Sequence, residues 1–202
     1  MHYAEILDLT ASEGMIILAA YLAGGLSPGY LMVRVLRGLD LRTIGSGSLG
    51  ARNTGRVLGR RGFYATLVLD ILKGALLVWL ARWLEFPPGV VGAVVVAVIA
   101  GHIWPVWLRF HGGKGIATSL GAFVALEYKI LLLGGVVLLA TWLLTHRFLP
   151  SWIATLVSMP LLAFFLGYPM YVVVPLFVSA AIVLYAHKDN IRQAWFTSEH
   201  KG

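Results

Sequence analysis

Apolar residues fall in runs close to the length of a bilayer, separated by short polar or Gly/Pro-rich breaks. A ~30 Å hydrocarbon core is crossed by about 20 apolar residues in helix. The first run extends from about Met15 to Val35 and contains Ser27-Pro28-Gly29, which predicts a broken or kinked helix near one membrane face. A second run covers Phe63 to Ala81. A third covers Gly89 to about Trp104 and is ended by Pro105. The fourth, Gly115 to Tyr128, has only 14 residues, roughly 21 Å of helix. It fits only if it starts below the membrane surface, where its free N–H groups face protein or a water-filled cavity. Ile130–Thr145, Trp152–Leu166 (with Pro160 inside) and Met170–Ala186 complete the set. The pattern predicts an all-α, polytopic membrane protein, a single domain over residues 1–202 with seven transmembrane helices. Residues 37–62 are expected to form a long polar loop, and residues from His187 onward a polar tail.

Composition agrees. Of 202 residues, 59% are hydrophobic and 12% charged, against ~45–50% and about 25% in soluble domains. Mean hydropathy is +0.83. Both a soluble sphere of this size and a disordered chain are excluded. The first 13 residues carry Glu5, Asp8 and Glu13 but no Lys or Arg, so the first run reads as a retained span rather than a signal peptide. No cysteine is present, which excludes a thiolate nucleophile, a Cys-based zinc site and a disulfide framework.

Charge sets an orientation. The net charge is +7, from 16 Lys+Arg against 9 Asp+Glu. With loop 37–62 in the cytoplasm, Arg37, Arg42, Arg52, Arg56, Arg60, Arg61, Arg109, Lys114, Arg147, Lys188, Arg192 and Lys201 face inward. Glu5, Asp8, Glu13, Glu85 and Glu127 face outward with only Arg82 and Lys129. This is a positive-inside pattern with the N-terminus outside. It brings segments 45–59, 101–115 and 187–192 to one cytoplasmic face. No basic helix or aromatic-basic platform suggests nucleic acid.

Those three segments carry the candidate chemistry. The run from Gly45 to Arg56 interleaves glycines with Ser46, Ser48, Arg52 and Asn53. Glycines with φ > 0 expose successive N–H groups as an anion nest, the serines add hydroxyl donors, and Arg56 adds a planar fork that matches a phosphate. A solvated linker is the competing reading. Next, Gly112-Gly113-Lys114-Gly115 opens the short fourth helix. It lacks the spacing of a Walker A loop, yet a helix N-terminus beside a lysine suits phosphate. His187 and Asn190 lie three apart and share a helical face; a polar helix C-terminus is the plainer alternative. His102, alone in an apolar segment, reads first as a structural residue. Asp70 and Lys73, at i and i+3 inside a span, read as a structural ion pair.

Taken together, the chain resembles the bacterial acyl-phosphate:glycerol-3-phosphate acyltransferases, the integral membrane PlsY type. The resemblance rests on Leu26-Ser27-Pro28-Gly29-Tyr30, Asp40-Leu41-Arg42, Gly45 to Gly59, Leu69 to Gly74, Gly101 to Thr118 and His187 to Ile191. It implies seven spans, a site on the cytoplasmic side of a bacterial inner membrane, no metal and no cofactor. The implied reaction moves a fatty acyl group from acyl phosphate to the 1-hydroxyl of glycerol 3-phosphate, giving lysophosphatidic acid and phosphate in phospholipid synthesis. The implied catalytic residues are Lys114, His187 and Asn190. The candidate phosphate ligands are Ser46, Gly47, Ser48, Arg52, Asn53, Arg56, Gly112, Gly113 and Lys114, of which the resemblance itself implies Ser46, Arg56 and Lys114. This chain departs from the family pattern in several places. Ser48 stands for Asn, and Arg52 for Thr. His187-Lys188-Asp189-Asn190 stands for His-Arg-Glu-Asn, and Ala154 and Thr155 follow Ser151 where a second Ser is usual. A guanidinium in place of a hydroxyl at position 52 bears on acceptor choice. Two alternatives stand beside this function: an anion or lipid-phosphate transporter, and an acyltransferase of this family with another donor or acceptor.

Overall fold

The computed structural model describes residues 9–199, with side chains to residue 193. Glu5, Asp8 and Lys201, used above to orient the chain, lie outside the described residues. Within them the protein is helical throughout, with eight α-helices, two 3-10 turns and no strand. This is the outcome that hydrocarbon imposes, because every main-chain N–H and C=O must find its partner inside the segment. The Val-rich α4 (Pro88–Ile103) shows the point. Valine is a mediocre helix former in water, yet here the helix is unbroken.

Helix α1 (Ala11–Gly24) opens on a capping box in which Thr10 and Glu13 satisfy each other's main-chain N–H. The expected break at Ser27-Pro28-Gly29 is present. Ser27 caps α2 (Pro28–Arg37), proline takes its first position, and the two helices meet at 41°. α3 (Ala51–Trp83) corrects the sequence expectation. Residues 51–62, assigned to a loop for their Gly and Arg content, are helical, and the helix breaks at Gly59. The polar tail is corrected too, since residues 188–199 form helix α8 (Lys188–Glu199).

The expected fourth and fifth spans are one helical stretch, α5 (Ile116–Thr145), broken at Glu127, which is extended at φ −159°, ψ 92°. The break has an evident cause. Glu127 Oε1 accepts from the N–H of Lys129 at 3.3 Å, starting the second arm. Arg82 Nη1, at the end of α3, donates to the carbonyls of Ala125 (2.6 Å) and Leu126 (3.2 Å), ending the first. Ser119 and Phe123 of the first arm line the same cavity as Gly134 and Leu138 of the second, so the arms lie side by side. α6 (Phe148–Phe165) and α7 (Met170–Ala186) follow.

α4 is the central helix, with Val94, Val95, Val98 and Ile99 fully buried. α3 and the first arm of α5 approach until main chains touch. A Cβ on Gly74 would overlap the carbonyl of Thr118, and one on Gly121 that of Ile71. Small residues permit such crossings inside membranes. The outer surface carries exposed Leu18, Leu72, Leu76, Leu132, Val136 and Phe165, a surface suited to lipid. Among the described residues, four helices can cross a membrane by length and composition, or five if the bent α1–α2 pair is one span.

Candidate active site

The three polar segments do meet. Leu49 N–H donates to the carbonyl of Gly112 at 3.2 Å, which joins the Gly/Ser loop to the Gly-Gly-Lys-Gly loop. Arg42 ties the same two segments by donating to Leu108 O at 3.4 Å, while its guanidinium grips Asp40 at 2.6 Å. That grip holds the Asp40 carboxyl down to about 2. From the other side, Lys114 Nζ donates to Asn190 Oδ1 of α8. His187, between α7 and α8, completes the ring of contacts.

Within the Gly/Ser loop, Gly45 and Gly47 adopt φ of 59° and 68°, as a nest requires. Gly47 N–H closes a turn on Ile44 O at 3.0 Å. Ser46 is exposed, and Ser48 Oγ accepts weakly from Gly50 N–H at 3.4 Å. Helix α3 starts at Ala51 with no side-chain cap, so the N–H groups of Ala51 and Arg52 remain available to an anion, while that of Asn53 is bonded to Gly50 O. Arg52 is exposed in that first turn. Asn53 behaves differently from the phosphate ligand expected from the sequence. It is 2% exposed, its Nδ2 donates to Leu41 O and Ile44 O, and its Oδ1 accepts from Ser46 N–H and Arg56 Nη1. Its amide is fully engaged in shaping the loop and in holding Arg56 over Gly45.

Gly112 and Gly113 run close against α4. Gly113 N–H donates to His102 O at 3.0 Å. Lys114 follows, then Gly115 at φ 86°, and α5 begins. The expected combination of a lysine with a helix N-terminus is present. Burial pushes the Lys114 ammonium down from its ordinary value; the negative charge of Asp189 opposes this and the positive charge of Arg52 adds to it.

His187 is 5% exposed and packs on Trp152, ring centroids 4.6 Å apart. Its Nδ1 is 2.8 Å from Val183 O. A carbonyl only accepts, so Nδ1 carries the proton and neutral His187 keeps its lone pair on Nε2. Burial pushes its pKa below the ordinary 6.5, and the charges of Lys114 and Arg52 push the same way; the Val183 bond opposes them. Imidazole titration followed by ¹⁵N NMR should therefore give a midpoint below 6.5 for His187 in the ligand-free protein, and Arg52→Gln should raise it. A midpoint at or above 6.5 would contradict this electrostatic picture.

Trp152 and Val183 have a second role. They also line an apolar cavity of about 260 Å³ between the arms of α5 and α6, together with Ile116, Phe123, Gly134 and Met159. An apolar cavity therefore reaches the two residues that contact the imidazole. The place of this cavity is not legible in the sequence, because it depends on the pairing of the α5 arms.

Similarity to known proteins agrees with this geometry. The family model described as "Glycerol-3-phosphate acyltransferase" matches residues 14–196. The chain is 40% identical over 177 residues to "Glycerol-3-phosphate acyltransferase 1" of Desulfitobacterium hafniense, covering 88% of each. It is 38% identical over 191 residues to the "Glycerol-3-phosphate acyltransferase" of Proteus mirabilis, covering 93% of this chain and 85% of the relative. Among solved structures, the glycerol 3-phosphate form of PlsY, an integral membrane glycerol 3-phosphate acyltransferase, superposes with a TM-score of 0.82 at 32% identity. That match covers 92% of this chain and 93% of the other. The lysophosphatidic acid form gives 0.80 at 31% identity. A half-buried lysine at a helix start, a neutral histidine whose neighbours line an apolar cavity and two glycine loops thus occur on the same helical frame as those relatives, and the chain belongs to the glycerol-3-phosphate acyltransferase family of the PlsY type.

Proposed function

We propose that the protein transfers a fatty acyl group from acyl phosphate to the 1-hydroxyl of glycerol 3-phosphate, releasing lysophosphatidic acid and inorganic phosphate. It does so as a single domain in the bacterial inner membrane. Seven spans are counted as the α1–α2 pair, α3, α4, the two arms of α5, α6 and α7, with the N-terminus outside and the site facing the cytoplasm. The observation that carries the reading is the junction at His187. The charges of Lys114 and Arg52 act on its imidazole, and Trp152 and Val183, which contact that imidazole, line the apolar cavity. One substrate with a phosphate head and an acyl tail fits across that junction.

Acyl phosphate is an activated anhydride, so positioning and charge neutralisation supply most of the catalysis. Lys114 and the Gly112 N–H take one phosphate, while Gly113, whose N–H is bonded to His102 O, shapes the loop rather than binding as a ligand. The Ser46 and Ser48 hydroxyls, Arg52 and Arg56 take the other, and Gly47, whose N–H is bonded to Ile44 O, acts through the turn it closes. Asn53 acts through the loop rather than as a ligand. Asn190 holds the Lys114 ammonium through Oδ1, which leaves its NH₂ group for substrate. The glycerol oxygen bonds to the acyl carbon, the acyl carbon–phosphate oxygen bond breaks, and the hydroxyl proton passes to His187 Nε2 and then to the departing phosphate. No acyl-enzyme forms.

Reconstitution in liposomes tests the reading. With labelled glycerol 3-phosphate, palmitoyl phosphate should give labelled lipid and palmitoyl-CoA should give none. Label found unacylated inside the vesicles would mean transport instead. Equal product from both donors would overturn the donor assignment.

A further inference from the structure

Three ionisable side chains are packed behind the loop that carries Lys114, and the reaction above uses none of them. Asp70 and Lys73 lie one turn apart on α3, with Lys73 Nζ 2.8 Å from Asp70 Oδ1. The same ammonium is 2.8 Å from His102 Nδ1 on α4 and 2.8 Å from the carbonyl of Leu26 at the α1–α2 break. Asp70 Oδ1 is also 3.5 Å from His102 Nδ1. Asp70 is 1% and His102 5% exposed. An ammonium only donates, so His102 Nδ1 accepts and the ring proton sits on Nε2.

The far edge of that ring faces the loop. A Cβ built on Gly113 would overlap His102 Nε2 and crowd the ring carbons, and one on Gly112 would overlap the carbonyl of His102. The same carbonyl accepts the Gly113 N–H. One residue therefore sets the loop from two directions, by its ring and by its main chain. The ring is in turn held by Lys73, which is held by Asp70 and Leu26. Three ionisable groups at membrane depth are a costly way to fill space, and apolar side chains would pack more cheaply. Stitching α2, α3 and α4 together would need only the Lys73 bonds. It would not require an imidazole in contact with the residue before Lys114.

We propose that Asp70, Lys73 and His102 form a positioning device that fixes the seat of Gly113 and so aims the Lys114 ammonium at the substrate phosphate. The proposal rests on the phosphate role assigned to Lys114 above. His102 is a positioning residue and touches no substrate.

The test is a double-mutant cycle on the full chain in lipid, with melting temperature as a fold check. His102→Leu should lower kcat/KM for glycerol 3-phosphate by about 10- to 100-fold, the range for removal of a group that orients a ligand. His102→Asn, which keeps an acceptor for Lys73 and the main-chain bond to Gly113 but not the ring against it, should restore part of the activity lost in His102→Leu. In a Lys114→Ala background, His102→Leu should cost less than about 3-fold, because the aim of a missing ammonium no longer matters. The same factor in both backgrounds, or His102→Asn no better than His102→Leu, would overturn the proposal. Lys73→Met, run through the same cycle with the same expected non-additivity, keeps the question decidable if His102→Leu fails to fold. A wild-type protein inactive with acyl phosphate would instead fault the functional reading, and that result is seen before any variant is compared.

Discussion

Replacing Lys114 with alanine is expected to lower kcat by about 10²- to 10³-fold, the range for loss of one fixed charged donor at a reacting centre. Lys114 stands immediately before α5, held by Asn190, beside His187 and the positive field of Arg52. Its ammonium meets a phosphate that carries more charge as the acyl bond breaks, so its attraction grows along the reaction. The loss should therefore appear in kcat as well as in KM. Lys114 bridges from a loop and fills no core position, so the variant's melting temperature should stay close to that of wild type. Steady-state kinetics with both substrates reads this directly. Near-full activity would remove Lys114 from the phosphate site and, with it, the central assignment.

Gly113→Ala should lower kcat/KM by at least about 10²-fold without touching a charge. The added methyl falls on the His102 imidazole, which Lys73 pins on its other edge, while the Gly113 N–H is tied to the carbonyl of His102. Neither neighbour is the free end of a flexible side chain, so the loop itself has to move. A shift of ~1 Å at a positioning element costs on the order of 10²-fold. Gly89→Ala, at a position with nothing within 4 Å of the new carbon, should leave activity unchanged. Equal activities in the two variants would show that the loop has slack the packing does not reveal.

The parts of this fold that could be read from sequence are those where a local rule and the membrane agree. Ser27-Pro28 starts a helix because serine caps and proline fits the first turn. Gly113-Lys114-Gly115 opens α5 as expected, and polar residues 127–129 do mark a break. Residues 51–62 read as a loop because seven glycines and arginines in a short stretch suppress any helical signal. The helix there is held from outside, by Asn53 bonded across to Leu41 and Ile44 and by Thr54 buried against Gly50 O. Asn53 reads as a ligand for a related reason. Its type and position match a phosphate loop, and only the coordinates show both ends of its amide occupied. The Asp70–Lys73 pair was foreseen from its spacing, but the meeting of Lys73 with His102, 29 positions away, leaves no trace in one dimension. The cavity beside His187 depends on the pairing of the two α5 arms and was equally invisible.

Several long-range anchors of this bundle land on main-chain oxygens. Arg82 reaches Ala125 and Leu126, Lys73 reaches Leu26, Tyr21 reaches Trp104 and Trp107 reaches Leu22. A carbonyl offers the same lone pairs whatever residue bears it. Evolutionary drift at the receiving positions thus leaves the anchors intact, while the donors are held to one or two residue types. Such one-sided constraint produces no paired substitutions, so covariation among homologues would pass over the bonds that hold the hairpin of α5 and the bend of the first span.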